Sequence, residues 1–203
     1  MKRLLRYLKG APRAVLHFKY QDKPKSLTVW VDSDFAGCEK TRKSTSAGVI
    51  LMGGHMVKSW ANNQAVIALS SGESEYYGLV KAASVSLGLK ALANDMGIEF
   101  EEPIVMNSDA SAAIGISNRI GSGKVRHIEV TQLWLQEKVC NGQVRLNKVG
   151  TEENLADALT KGVDATTIAT HVKGVSMELR EDRHRLAPSL EESTQVELKL
   201  EDE

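Results

Sequence analysis

Residues 27–31 read Leu-Thr-Val-Trp-Val, an apolar and β-branched run that ends on Asp32-Ser33-Asp34 and a small-residue turn, Phe35-Ala36-Gly37. Such a run predicts a buried strand closed by an acid. Another strand is predicted before it at 14–20, with a turn at 22–25 between them, and a further one at 47–52. Gly53-Gly54 supplies the positive φ of a hairpin turn, and residues 55–61 return as its partner. The period then changes. Over residues 70–96, Leu79, Ala82, Ala83, Leu87 and Leu89 recur at helical spacing, with Ser70 or Ser71 placed to cap and Gly97 to stop the run. A strand at 103–107 leads to a second acid, Asp109, and a short helix at 110–117 follows. After a Gly- and Ser-rich loop at 118–124 come a helix at 128–140, a turn at Asn141-Gly142, a strand at 143–149 and a last helix at 152–160. Residues 1–9 read as a basic amphipathic helix with Leu4, Leu5 and Leu8 as its stripe, stopped by Gly10 and Pro12; few local partners exist for that stripe, which either docks onto the domain or, the reading favoured, once joined a preceding one.

The order βββαβα(α)βα predicts an α/β fold, a meander extended by right-handed crossovers that add parallel strands. No internal repeat is present. Periodicity weakens beyond Gly162, and from Pro188 the composition is that of a disordered acidic tail. Residues 27–162 are therefore the expected domain, with 1–26 before it and 163–203 as an extension.

A chain of 203 residues, 42% hydrophobic and 26% charged, is a soluble globular chain of one domain with trimmings. Its formal charge of zero is uneven: residues 191–203 hold six acids against Lys199, a net −5, leaving +5 on the remainder. That bias permits a polyanionic partner without requiring one. The two cysteines, Cys38 and Cys140, show no CxxC spacing, which argues against zinc and against a disulfide framework and fits a reducing intracellular compartment, cytoplasmic or nuclear. No apolar run approaches a membrane span, and no apolar stretch follows the basic start as a secretory signal would need.

The acids carry the chemistry. A carboxylate at the end of a buried strand is costly unless a cation or hydrogen bonds use it, and strand carboxyl ends are where open α/β sheets bind ligands. If 27–32 and 103–107 are parallel neighbours, Asp32 and Asp109 stand about 5 Å apart, close enough to call for a shared proton or a cation. Glu75, in line with Leu79 and Ala82 on the sheet-facing side of the long helix, and Asp157, beside Leu155 and Ala158 in the last helix, complete a quartet. All-oxygen ligands select hard ions, Mg²⁺ or Mn²⁺. Two such ions about 3.5–4 Å apart suit phosphodiester hydrolysis.

These residues resemble the ribonuclease H domain of copia-type (pseudoviral) retrotransposon Pol polyproteins. Val31-Asp32-Ser33-Asp34-Phe35-Ala36-Gly37-Cys38 is similar to that family's SDADWAGC, Thr41-Arg42-Lys43-Ser44-Thr45-Ser46 to its RKSTS, and Ser59-Trp60 with Gln64 to SW…KQ. Ala68-Leu69-Ser70-Ser71-Gly72-Glu73-Ser74-Glu75-Tyr76 resembles ALSSTEAEY, Arg126-His127-Ile128-Glu129 resembles KHID, and residues 154–161 resemble NLADILTK. Residues 2–10 look like the KRILRYLKG that closes the reverse-transcriptase part. The resemblance runs in collinear order over residues 1–162. It implies a five-stranded mixed sheet, three antiparallel and two parallel strands, flanked by helices, and makes residues 1–26 the tail of a reverse-transcriptase or connection segment. It implies endonucleolytic hydrolysis of the RNA strand of RNA–DNA hybrids by two Mg²⁺ or Mn²⁺ ions, leaving a 3′-hydroxyl and a 5′-phosphate, with Asp32, Glu75, Asp109 and Asp157 as catalytic and metal-binding acids. It implies a reverse-transcriptase domain as partner in cis or trans, no membrane, and a virus-like particle if the element is active. Three departures stand out: Asp109-Ala110-Ser111 replaces DNQ, the loop Gly150-Thr151-Glu152-Glu153 lacks the histidine of cellular ribonucleases H, and Asn62-Asn63-Gln64 replaces KKQ.

Around the acids, Ser33, Arg42, Lys43, Ser44, Ser71, Lys124, Arg126 and His127 are the candidate nucleic-acid contacts, with Lys40, Ser46 and Ser70 nearby. Basic side chains suit phosphates and small hydroxyls suit the 2′-hydroxyls of a shallow minor groove. A capping or packing role fits His127 better than a ligand role. Asp34 reads as a turn acid, Glu73 as a solvated acid in the first helical turn about 200° from Glu75, and Trp30, Trp60 and Trp134 as core, with Trp60 alone a candidate to face nucleic acid. Two other readings compete: a catalytically idle retroelement remnant that binds hybrids or serves structure, and another carboxylate nuclease on the same fold.

Overall fold

The structure, a computed structural model, describes residues 2–121, 123, 127, 128, 132–182 and 184–186. It contains helix α1 (Lys2–Gly10), strands β1 (Arg13–Leu16), β2 (Leu27–Ser33), β3 (Thr45–Met52) and β4 (His55–Asn63), then helix α2 (Ser71–Asp95) and strand β5 (Ile104–Ser108). Helices α3 (Ser111–Ser117) and α4 (Trp134–Cys140), strand β6 (Val144–Lys148), two 3₁₀ turns at Thr151–Glu153 and Asp157–Leu159, helix α5 (Ala165–Gly174) and strand β7 (Met177–Arg180) complete it.

Two compact units result. One is His17–Ser176; the other is drawn from Met1–Leu16 and Met177–Glu203. In the smaller, β1 pairs antiparallel with β7 from Arg13↔Arg180 to Leu16↔Met177, and Arg13 bonds Asp182 at 2.8 Å. The pattern at 14–20 therefore yields a shorter strand that stands outside the main sheet. Its partner lies in a stretch where no periodicity announces a strand.

The larger unit holds a five-stranded sheet in the order β4-β3-β2-β5-β6, antiparallel among β2, β3 and β4 and parallel across β2-β5 and β5-β6. This is the mixed α/β sheet expected, and it has the ribonuclease H-like arrangement. Alternation along β2 buries Leu27, Val29 and Val31 against Tyr76, Leu79, Ala82 and Ala83 of α2, with Ile104, Met106, Leu135 and Val144 in the same cluster. Ser70 caps α2, its side chain accepting from Glu73 N. Among the described residues no helix is long and apolar enough to cross a membrane, and Cys38 and Cys140 are free thiols.

Two other predicted elements differ. The helix expected at 128–140 begins at Trp134, and residues 129–131 lie outside the described set. The helix expected at 152–160 is two 3₁₀ turns separated at Asn154. Asn154 spends its side chain on the backbone: Nδ2 donates to Val31 O at 2.8 Å and Oδ1 accepts from Ala156 N at 3.1 Å. An amide so engaged competes with helix continuation.

Helix α2 lies close against β2 at Gly78. A Cβ there would lie 2.6 Å from Ser33 Oγ. Gly78→Ala should therefore push the helix off the strand, lowering stability by about 1–3 kcal/mol in urea unfolding; an unchanged midpoint would contradict this packing.

Candidate metal centre at the sheet edge

Asp32 and Asp109 reach the same edge because β2 and β5 run parallel in register, Thr28↔Val105 through Trp30↔Asn107. Continuing each strand by two residues sets the two acids side by side. Glu75 joins them from α2, one turn before the close approach at Gly78. Single carboxylate oxygens of Asp32, Glu75 and Asp109 all lie within 4.8 Å of one another.

The surroundings are unfavourable to bare charge. Asp32 is 6% exposed, and burial raises its pKa above the usual carboxylate value; Thr160 and Lys161 oppose the rise while Asp109 and Asp157 add to it. Burial likewise pushes Glu75 up to about 8, with Asp32 and Asp109 adding repulsion and the Ser33 backbone N–H and Lys161 opposing it. Among the described residues, Glu75 Oε2 is buried with no hydrogen-bond partner. Converging hard oxygens, one of them orphaned, with the pKa of Asp32 and of Glu75 raised by burial and by acidic neighbours, make a donor set that fits a divalent cation.

Asp157 stands slightly apart. It is 7% exposed and near enough to raise the pKa of Asp32, yet it falls outside the three-acid group. Its Oδ1 pairs with Lys161 Nζ at 2.6 Å. The residues bracing the acids escape a reading of the sequence that looks only for acids. Thr160 Oγ1 donates to Asp32 Oδ2, Thr151 Oγ1 donates to Asp109 Oδ2 at 2.7 Å, and Lys148 Nζ donates to Asp109 O. Lys161 carries a signal, four residues after Asp157. Thr151 and Lys148 carry none.

The candidate nucleic-acid residues separate by exposure. Ser44 has no exposed surface, its Oγ accepting from Ala36 N at 3.0 Å, and Ser33 Oγ is bonded to Ser46 Oγ at 2.9 Å. Gln64 locks this layer, donating to Ser46 Oγ and to Ser74 O, both at 2.7 Å. Those hydroxyls are engaged inside the fold. Arg42, Ser71, Lys40 and Ser70 are exposed and Lys43 is half-buried, whereas Lys124 and Arg126 lie outside the described residues. Asp34, expected to make a local turn bond, instead reaches across eleven residues, its Oδ1 accepting from Thr45 N at 2.6 Å. Trp60 and Trp134 are partly buried against the core and share a groove of about 580 Å³ with Tyr77, Lys81 and Gln64.

Glu73 corrects the sequence reading. It is 2% exposed rather than solvated. Oε1 accepts from Tyr77 OH at 2.7 Å, while Oε2 accepts from Leu69 N at 3.0 Å and meets His127 Nε2 at 2.8 Å. Burial alone would raise its pKa, but the bonds from Tyr77, His127 and Leu69 hold it below the usual value. The side of α2 that looks free in isolation is met by His127. Glu73→Leu should cost about 1–3 kcal/mol in urea unfolding, since it takes the shared buried carboxylate away from Tyr77 OH, Leu69 N and His127 Nε2; a cost below about 0.5 kcal/mol would show the network contributes nothing.

Sheet order, crossover and acids at the strand ends define a ribonuclease H-like domain. The chain is similar to copia-type retrovirus-related Pol polyproteins. It is 31% identical over 164 residues to the Pol polyprotein from transposon TNT 1-94 of Nicotiana tabacum, covering 80% of this chain and 12% of that protein. To the Pol polyprotein from transposon RE1 of Arabidopsis thaliana it is 29% identical over 167 residues, 82% of this chain and 11% of the relative. The chain thus spans about a tenth of the length of these curated relatives. Among solved structures it is similar to the N-terminal ribonuclease H domain of Rv2228c from Mycobacterium tuberculosis, a maltose-binding-protein fusion, at 16% identity and TM-score 0.46, covering 73% of this chain and 95% of that one. No family model matches the chain.

Proposed function

We propose that this chain is a metal-dependent ribonuclease H that hydrolyses the RNA strand of RNA–DNA hybrids during retrotransposon reverse transcription, working with a reverse-transcriptase domain in cis or trans. The observation that carries the reading is the convergence of Asp32, Glu75 and Asp109 within 4.8 Å at the edge of the sheet. Asp32, Glu75 and Asp109, with Asp157 beside them, would hold two hard ions, Mg²⁺ or Mn²⁺. Such ions supply Lewis-acid polarisation at the phosphodiester and neutralise developing charge.

The chain's own side chains do the rest. Thr160 fixes the rotamer of Asp32, and Thr151 with Lys148 fixes Asp109. Lys161 balances the charge of Asp157 and lowers the cost of gathering acids nearby. Glu75, whose pKa is about 8, carries a proton on its carboxyl near neutral pH and must release it to serve as a ligand. Arg42, Lys43 and Ser71 supply phosphate and hydroxyl contacts to the duplex. No side chain is positioned as a covalent nucleophile in this reading.

A hybrid labelled on its RNA strand, incubated with the protein and Mg²⁺, is expected to yield fragments with 5′-phosphates, and EDTA is expected to abolish them. Binding without cleavage would favour the idle remnant; cleavage of the DNA strand would favour another nuclease.

A further inference from the structure

We propose that His171 is a positioning residue for Asp157, so that α5, beyond the last acid, belongs to the working site. The proposal rests on the ribonuclease H reading above. Asp157 rides on a 3₁₀ turn, whose hydrogen bonds are poorer than those of an α-helix, so its placement depends on props from neighbouring elements. On one side is β2, held by Asn154 Nδ2 donating to Val31 O at 2.8 Å. On the other is α5, where His171 Nδ1 meets Leu155 O at 2.6 Å.

A carbonyl oxygen only accepts, so Nδ1 carries the hydrogen and His171 donates. Gly174, on the same face of α5, packs on the same residue: a Cβ there would lie 2.3 Å from Leu155 Cδ2. Val175, which follows, is fully buried. The peptide from Leu155 to Thr160 is therefore gripped between α5 and β2, and it presents two groups to the site, Asp157 and the Thr160 hydroxyl on Asp32. His171 and Asp157 also line one cavity of about 340 Å³, walled by Thr151, Thr166, Thr167 and Thr170. Removing the histidine's donor frees one end of the peptide that carries the fourth acid.

The test compares His171→Leu, which cannot donate, with His171→Asn, whose amide can, in the full chain. Hydrogen exchange of the Asp157, Leu159 and Thr160 amides in EDTA reads the turn without metal. His171→Leu should speed these about fivefold, the loss expected for one hydrogen bond, while β3 amides are unaffected, and His171→Asn should return them to within about twofold of wild type. With metal, His171→Leu should weaken Mn²⁺ binding and lower kcat for hybrid cleavage by about the same factor, leaving KM for the hybrid unchanged. Unchanged exchange at 157–160, equal acceleration throughout β3, or an asparagine variant no better than leucine would overturn the proposal. If exchange responds as expected but no protein, wild type included, binds Mn²⁺ or cuts hybrid, the positioning role stands and the ribonuclease reading falls.

Discussion

The Asp32→Asn variant is expected to cut hybrids about a thousandfold more slowly than wild type while unfolding no earlier in urea. Asparagine keeps the shape and still offers an oxygen to the Thr160 hydroxyl, but removes the charge that faces Glu75 and Asp109. A cation's stabilisation of a phosphoryl transition state is worth several kcal/mol, and about 1.4 kcal/mol is a factor of ten, so losing a shared ligand should cost three decades or more. Stability should move the other way. Asp32 is 6% exposed and its pKa is raised chiefly by burial, so its charge opposes folding when no cation is present. A variant that retains a tenth of the wild-type rate, or that unfolds much earlier, would contradict this account.

The second large effect is a dependence of metal-free stability on pH, set by Glu75. Its pKa is about 8 in the folded protein against 4.5 for an ordinary glutamate. Below pH 4.5 both states hold the proton and folding is not penalised. Between 4.5 and about 8 the unfolded chain releases the proton while the folded chain keeps it, so stability falls as pH rises. Above about 8 the loss is complete. Allowing for partial solvent access, it amounts to on the order of 3 kcal/mol. In EDTA, Glu75→Gln should match wild type near pH 4.5 and exceed it by about that amount near pH 8.5. Saturating Mg²⁺ should reverse the order, because only the wild type gains a ligand on binding. Equal pH slopes for the two proteins in urea unfolding would refute the assignment.

What the sequence revealed of this molecule follows from where its signals are local. The strand ending on Asp32, the hairpin at Gly53-Gly54, the helix capped by Ser70 and the strand leading to Asp109 are all marked by period and punctuation in neighbouring residues. From these alone the parallel placement of Asp32 beside Asp109 could be reasoned. The bracing could not. Thr151 and Lys148 meet Asp109 from about forty residues away, and a threonine or lysine near a strand end has many other uses. Glu73 reads as solvated because helix geometry tells which residues share a face but not what meets the opposite one; His127, 54 residues on, meets it. The turn bearing Asp157 reads as a helix because the apolar spacing of Leu155, Ala158 and Leu159 allows one. Asn154 decides otherwise through a bond to β2 across 123 residues. Helix α5 is weakly patterned, with Thr166, Thr167 and Thr170 on a half-exposed element, and β7 finds its partner at the other end of the chain.

Crystals grown with Mn²⁺ and measured for anomalous scattering would test the carboxylate centre most directly. The account predicts a peak lying roughly 2–2.5 Å from oxygens of Asp32, Glu75 and Asp109, lost in Asp32→Asn crystals. Millimolar Mn²⁺ with no peak among these three residues, or a peak that survives the substitution, would contradict it.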